Sequence, residues 1–289
     1  MSRWLSLWIV IVVGLTDLLQ PARAADIHVD SANGFDGNDG LAAVITTATN
    51  GPVRTLKRAT QLAQAGDRIV LKSNGQPFFE TLYLTGGRHC GFASRPFTIE
   101  GNGAVISGLR DLPPDGWRPQ GPGLWRLSLT RKGHYRFFRD NQPIPEFLPT
   151  TRSMALDDLP LDHYFSHQGA VIFRFDEGYV PYTELWTYAA ADIGVSLVDV
   201  RNLQIRNLTI VGFRVDGLNA DGNCRGVVLD NVTLEHNGRA GLSANGTSQV
   251  FVESSRLTGN GRHSAVITEY ARVNLQNTDD GGVEPTVIE

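Results

Sequence analysis

Over the last third of the chain the apolar residues come in short alternations, Val232-Thr-Leu234 and Val250-Phe-Val252 among them, each broken within a few residues by Gly or Asn. A period near two over so short a run predicts strands of three to five residues with tight corners, not helices. The pattern then repeats. Asn207-Leu-Thr-Ile210 and Asn231-Val-Thr-Leu234 are offset by 24 residues, as are Gly217-Leu-Asn-Ala-Asp-Gly222 and Gly241-Leu-Ser-Ala-Asn-Gly246. Asn237-Gly-Arg239 and Asn260-Gly-Arg262 are offset by 23, as are Val250 and Val273. Several matches at one period mean stacked supersecondary units. Leu229-x-x-Val232-x-Leu234-x-x-Asn237 fits the opening of a leucine-rich repeat, but Gly-Arg-Ala-Gly follows where Leu spacing should continue. Each unit instead offers a second strand near Gly241–Ala244 and a third near Gln249–Glu253. Three short strands per turn fit an all-β fold, a parallel β-helix. Ten of the 16 Asn fall between 202 and 277, where stacked side chains at corners can hydrogen-bond along the axis.

The repeats resemble those of secreted right-handed parallel β-helix proteins, the pectin-lyase-like superfamily, and so does the N-terminal part. Ile27-His-Val-Asp30 and Asn33-Gly-Phe-Asp-Gly-Asn-Asp-Gly40 precede a helix-like stretch, Thr55 to Ala65, which Gly66-Asp67 ends before the strand Arg68-Ile-Val-Leu71. The resemblance implies that this helix caps the open end of the stack and shields a sheet edge. Pro96 to Gly108 reads as an early coil. The likeness covers about 25–108 and 196–277 and speaks for fold more than activity. Residues 109–195 differ: they hold 14 of the 25 aromatics and no echo of the repeat. They resemble the small β insertion of some carbohydrate-active β-helix proteins, their aromatics serving a mini-core or sugar stacking. The expected organisation is therefore 1–24 signal peptide, 25–108 cap and first coils, 109–195 inserted β subdomain and 196–289 C-terminal coils.

Arg3, the apolar run Trp4–Leu15 and the small-residue site Pro21-Ala-Arg-Ala24 give residues 1–24 the form of a secretory signal. The run is shorter than the ~20 residues a membrane span needs. A secreted, periplasmic or cell-surface chain without stable membrane insertion after cleavage is expected. A formal net charge of −4 gives no support to a nucleic-acid partner. Cys90 and Cys224 fall in different coils and read as buried free thiols, with no metal-ligand spacing anywhere.

Candidate chemistry follows from the coil ruler, one strand spacing of about 4.8 Å per repeat. Arg239 and Arg262 stack; Asp216, Ala240 and His263 form the neighbouring column; Arg214 lies just before it. Together Arg214, Arg239, Arg262 and His263 suit binding of an acidic extracellular polysaccharide, because a carboxylate accepts bidentate hydrogen bonds from a guanidinium group. The only lysines, Lys57, Lys72 and Lys132, lie outside the repeats, which excludes a Lys-based lyase site on these coils. An Arg-based one stays open, with Ca²⁺ as a possible cofactor of elimination; otherwise no cofactor is expected. A glycoside hydrolase needs two carboxyl groups ~5–9.5 Å apart. A 24-residue offset puts Asp221, Asn245 and Glu269 in one column, with Asp216 and Glu235 as further candidates. Asp216 to Gly222 faintly resembles a polygalacturonase signature, but Asn237-Gly-Arg-Ala-Gly241 stands where its second acid pair belongs, and Asp279-Asp280 comes too late. Hydrolysis ranks slightly above elimination. The rival is a non-catalytic carbohydrate-binding or surface structural protein, which the missing acid pair and the lack of a recognisable C-terminal cap favour.

Overall fold

The computed structural model describes residues 24–149, 156–167 and 169–288; of the segment 1–24 expected to be a signal peptide, all but residue 24 lies outside them. The N-terminal part contributes β1 (Asp26–Val29), helix α1 (Leu56–Leu62), β2 (Arg68–Leu71), β3 (Leu82–Thr85) and β4 (Phe97–Ser107). The helix is shorter than the sequence suggests. Thr55 caps it, its hydroxyl accepting from Arg58 N, but Ala63 is already extended and Asp67 takes the Gln64 N–H.

Eight strands follow between the two parts of the stack: β5 (Leu109–Asp111), β6 (Trp117–Gly121), β7 (Leu124–Leu127), β8 (Phe137–Arg139), β9 (Gln142–Pro143), β10 (His163–His167), β11 (Ala170–Arg174) and β12 (Trp186–Ala189). They form two antiparallel sheets, ordered β10-β11-β7-β6 and β5-β12-β8-β9. Trp117, Phe137, Tyr164, Phe173, Phe175 and Trp186 are buried in a core of their own, so most aromatics of this segment are committed to packing.

The chain then returns to the stack with β13 (Ile193–Val198), β14 (Arg201–Val211), β15 (Asp216–Asp221), β16 (Arg225–Glu235), β17 (Ala240–Ala244), β18 (Gln249–Glu253), β19 (His263–Thr268), β20 (Arg272–Gln276) and β21 (Thr286–Ile288). Two parallel sheets run its length. Sheet A is ordered β1-β2-β4-β14-β16-β18-β20 and sheet B β3-β13-β15-β17-β19-β21. The coil is not three separate strands throughout: β14 and β16 are 11-residue strands that pass round a corner without breaking. The corner residues Asn207 and Asn231 take φ of 51° and 53°, a left-handed conformation that Asn tolerates better than most L-residues. Stacking then satisfies their amides: Asn231 Nδ2 donates to Asn207 Oδ1 at 2.7 Å and Asn207 Nδ2 to Glu100 Oε1 at 2.8 Å.

Inside, one apolar cluster runs from Ile27 to Ala265, with aligned ladders such as Leu203–Val227–Val250–Val273. Each fully buried aliphatic there contributes about 1.5–3 kcal/mol. A second Asn stack supports the corners before sheet B. Asn237, fully buried, accepts the Phe213 N–H and donates to Asn260 Oδ1, both at 3.0 Å. Cys224 is buried as expected, but Cys90 is only half-buried; both are free. Among the described residues no helix is long and apolar enough to cross a membrane.

Candidate functional site

The insertion meets the coil stack at the corners that precede sheet B. Gly238 permits the approach: a Cβ there would lie 2.1 Å from both Arg214 O and His134 O. Arg214 staples the seam, its Nη1 donating to the carbonyls of Lys132 (2.9 Å) and Gly133 (3.3 Å) and its Nε to Asp192 Oδ1 (2.8 Å). It therefore acts first as a clamp rather than as a free binding group.

At this seam the register places Ile193, Asp216, Ala240 and His263 in one column. Asp216 is fully buried, and both its oxygens receive Arg239, at 2.9 Å from Nε and 2.5 Å from Nη2. Arg239 also reaches Ser243 Oγ at 3.4 Å. Arg262, one coil on, has its side chain 45% exposed and stands 3.8 Å from Glu146 of the insertion. His263 shares a 2.8 Å hydrogen bond through Nδ1 with Thr286 Oγ1. His134, in a left-handed conformation on the insertion, lies within electrostatic reach of Arg239, Arg214, Asp216 and Arg262. Burial, then the positive fields of Arg239 and its neighbours, push both His134 and His263 below the ordinary imidazole value, with Asp216 opposing. Two neutral imidazoles therefore stand among guanidinium groups near neutral pH.

Beside this cluster the outward side of sheet B is polar. Asn245 Nδ2 donates to Asn219 Oδ1 at 2.9 Å, and Thr268 Oγ1 donates to Asn245 Oδ1 at 2.8 Å. Tyr83, Ser196, Asn219 and Ser243 share a neighbouring column that Val266 continues; Tyr83 is 62% exposed at its N-terminal end, whereas Ser243 and Val266 are buried.

The four acids drawn from the sequence do not assemble. Ala244 pairs with Ile267, so Thr268, not Glu269, stands opposite Asn245 in the Asp221 column. That step between coils is 23 residues, and the expected 24 slips Glu269 into the left-handed corner at φ 58°. Asp216 and Asp221 begin and end one strand, ~16 Å apart. Glu235 closes β16 on sheet A, beyond the corner 236–239. His134, Arg136 and Glu146 were missed, because the insertion has no repeat to act as a ruler and their meeting with the coils is set by tertiary packing. Among the described residues no three His, Cys, Asp or Glu side chains gather as a metal site.

No family model matches the chain, and no curated protein does. Among solved structures, the complex of XylC with xylose is similar in fold, with a TM-score of 0.54 at 10% identity, over 88% of this chain and 58% of that one. A GH136 lacto-N-biosidase from Eubacterium ramulus aligns with a TM-score of 0.44 at 15% identity, over 96% of this chain and 43% of that one. The chain thus spans about half the length of the structures it resembles. The fold class is a parallel β-helix with an antiparallel insertion.

Proposed function

We propose that this is an extracellular, polysaccharide-acting member of the right-handed, pectin-lyase-like β-helix group, and that it engages an acidic glycan along the outward face of sheet B, at the seam with the insertion. The observation that carries the reading is the seam cluster. Five guanidinium groups (Arg131, Arg136, Arg214, Arg239, Arg262) face three carboxylates (Glu146, Asp192, Asp216), leaving an excess of positive charge beside a polar, hydrogen-bonding face. Arg262, its side chain 45% exposed on the coil stack, is the natural partner of a uronate carboxylate there. The sugar ligand of XylC, seen on a similar fold, is in keeping with a carbohydrate role.

Elimination suits this site better than hydrolysis. A lyase removes the proton beside a uronate carboxyl; the electron pair forms a double bond and expels the glycosidic oxygen, which leaves protonated. That needs a neutral base and charge neutralisation, which His134 or His263 and Arg262 would supply. Hydrolysis needs an acid pair, and Asp216 has both oxygens on Arg239. The same ion pair favours a second reading, a glycan-binding protein without turnover.

The test incubates the chain with acidic and neutral polysaccharides, with and without Ca²⁺, following reducing ends and the ultraviolet absorbance of unsaturated uronate ends. Unsaturated ends from an acidic polymer alone are expected. Reducing ends without unsaturation would overturn elimination in favour of hydrolysis. Binding without either product would establish the second reading, and folded protein that binds no acidic polymer would overturn both.

A further inference from the structure

A recess opens where the insertion meets the stack, sharing Arg131, Asp192 and Arg214 with the cluster above. It is a cavity of about 250 Å³ whose lining includes Leu129, Arg131, Tyr135, Tyr188 and Arg214. Asp192 stands at its charged side and gives one oxygen, Oδ1, to both Arg214 Nε and Arg131 Nη1, each at 2.8 Å. One carboxylate therefore faces two guanidinium groups, and the recess keeps a net positive charge. Arg214 spends its remaining reach on the backbone carbonyls of Lys132 and Gly133. The Arg131 side chain is 59% exposed, so its pairing with Asp192 is a surface ion pair, weakly held and easily exchanged. Tyr188 and Leu129 add aromatic and apolar surface, while Tyr135, all but buried against Phe137, backs the wall.

We propose that this recess binds a single carboxylate-bearing sugar ring, a uronic acid at the end of a glycan chain, with Arg131 taking the carboxylate. Three features point that way. The volume falls below the ~300–1,000 Å³ of sites for drug-sized ligands, which suits one ring rather than an oligomer. The fork of Arg131 matches a carboxylate in a way a neutral sugar cannot use. A tyrosine face beside a polar wall suits the mixed surface of a pyranose. The choice of ligand rests on the acidic-glycan reading, but the carboxylate partner is Arg131 here and Arg262 there.

The experiment titrates galacturonic acid, galactose and acetate into the chain by calorimetry, with the variants Arg131→Ala, Tyr188→Ala and Arg262→Gln. Galacturonic acid should bind saturably and at least tenfold more tightly than galactose or acetate. Arg131→Ala should weaken it at least tenfold and Tyr188→Ala at least threefold, whereas Arg262→Gln, outside the recess, should weaken it less than either. Arg131 is an exposed side chain, so its loss should not unfold the protein; an unchanged circular dichroism spectrum checks this. Absence of saturable binding, acetate binding as tightly as galacturonic acid, or loss in Arg262→Gln but not in Arg131→Ala would each overturn the proposal. If no acidic polymer binds along sheet B yet the monosaccharide still depends on Arg131, the wider functional reading fails while the recess stands.

Discussion

Asp216 shows how a residue that reads as catalytic can be held by its neighbours. Its column was legible from the 24-residue offset, because Asp216, Ala240 and His263 fall at equivalent places in successive coils. That Arg239 would fold back over it was not, since an offset gives the spacing of backbones and not the rotamers of side chains. The pair carries a stability consequence. Removing the guanidinium leaves a fully buried carboxylate without its partner, a change that costs about 3 kcal/mol or more. Arg239→Ala should therefore lower the free energy of unfolding in urea by that amount, and Asp216→Ala added to it should recover much of the loss. A double variant no more stable than the single one would show that the pair is not coupled. Glu269 teaches the complementary lesson: one residue of slippage between a 23- and a 24-residue step moves a side chain from a sheet face into a corner.

Among the elements, the corners and the helix anchor carry the specificity of the fold. Asn237 serves three coils by accepting from Phe213 N, taking Asn260 Oδ1 on its amide and standing against Gly217, where a Cβ would fall 2.7 Å from its Nδ2. Asn237→Ala leaves buried backbone unsatisfied and should cost about 2 kcal/mol in equilibrium unfolding; a loss within a few tenths would remove the Asn stack from the account. The Asn excess in the repeats made these corners visible in the sequence. His89 did not stand out, as a lone His between Arg and Cys. It joins α1 to β3: Nδ1 accepts from Thr85 N at 2.9 Å and Nε2 meets Thr60 O at 3.0 Å. That fixes a neutral ring, and burial holds it below its ordinary value, as it does His28, His134 and His263. An imidazole depressed in the folded state binds fewer protons there than when unfolded. Stability is thus fully present above about pH 6.5 and falls as the pH drops from there toward the folded values. Urea midpoints should decline between pH 7 and pH 5, and His89→Gln, which can keep both bonds, should show a shallower decline. A flat profile for the parent would contradict the sign.

The whole molecule is two cores joined at a seam, and the candidate site exists only because they meet. The coil core was readable from the repeat and the insertion from its aromatics, but nothing in the sequence said which face of the one lies on which corner of the other. Gly238 is where that arrangement is most exposed to test. A Cβ would press on two backbone oxygens rather than a movable side chain, so Gly238→Ala should push the insertion loop away, weakening glycan binding more than it lowers the unfolding midpoint of the coils. Equal binding by the variant would mean that the insertion does not build the site.

On the proposed reading the seam takes an acidic polysaccharide through exposed positive charge. The deciding comparison is the affinity of the chain for polygalacturonate and for an uncharged galactan, in low and high salt, with Arg262→Gln in parallel. Binding to the acidic polymer alone is expected, weakened severalfold by salt and at least fivefold by the substitution, as screened contacts to exposed guanidinium groups should be. Equal affinity for both polymers, or acidic binding indifferent to salt and to Arg262, would contradict it.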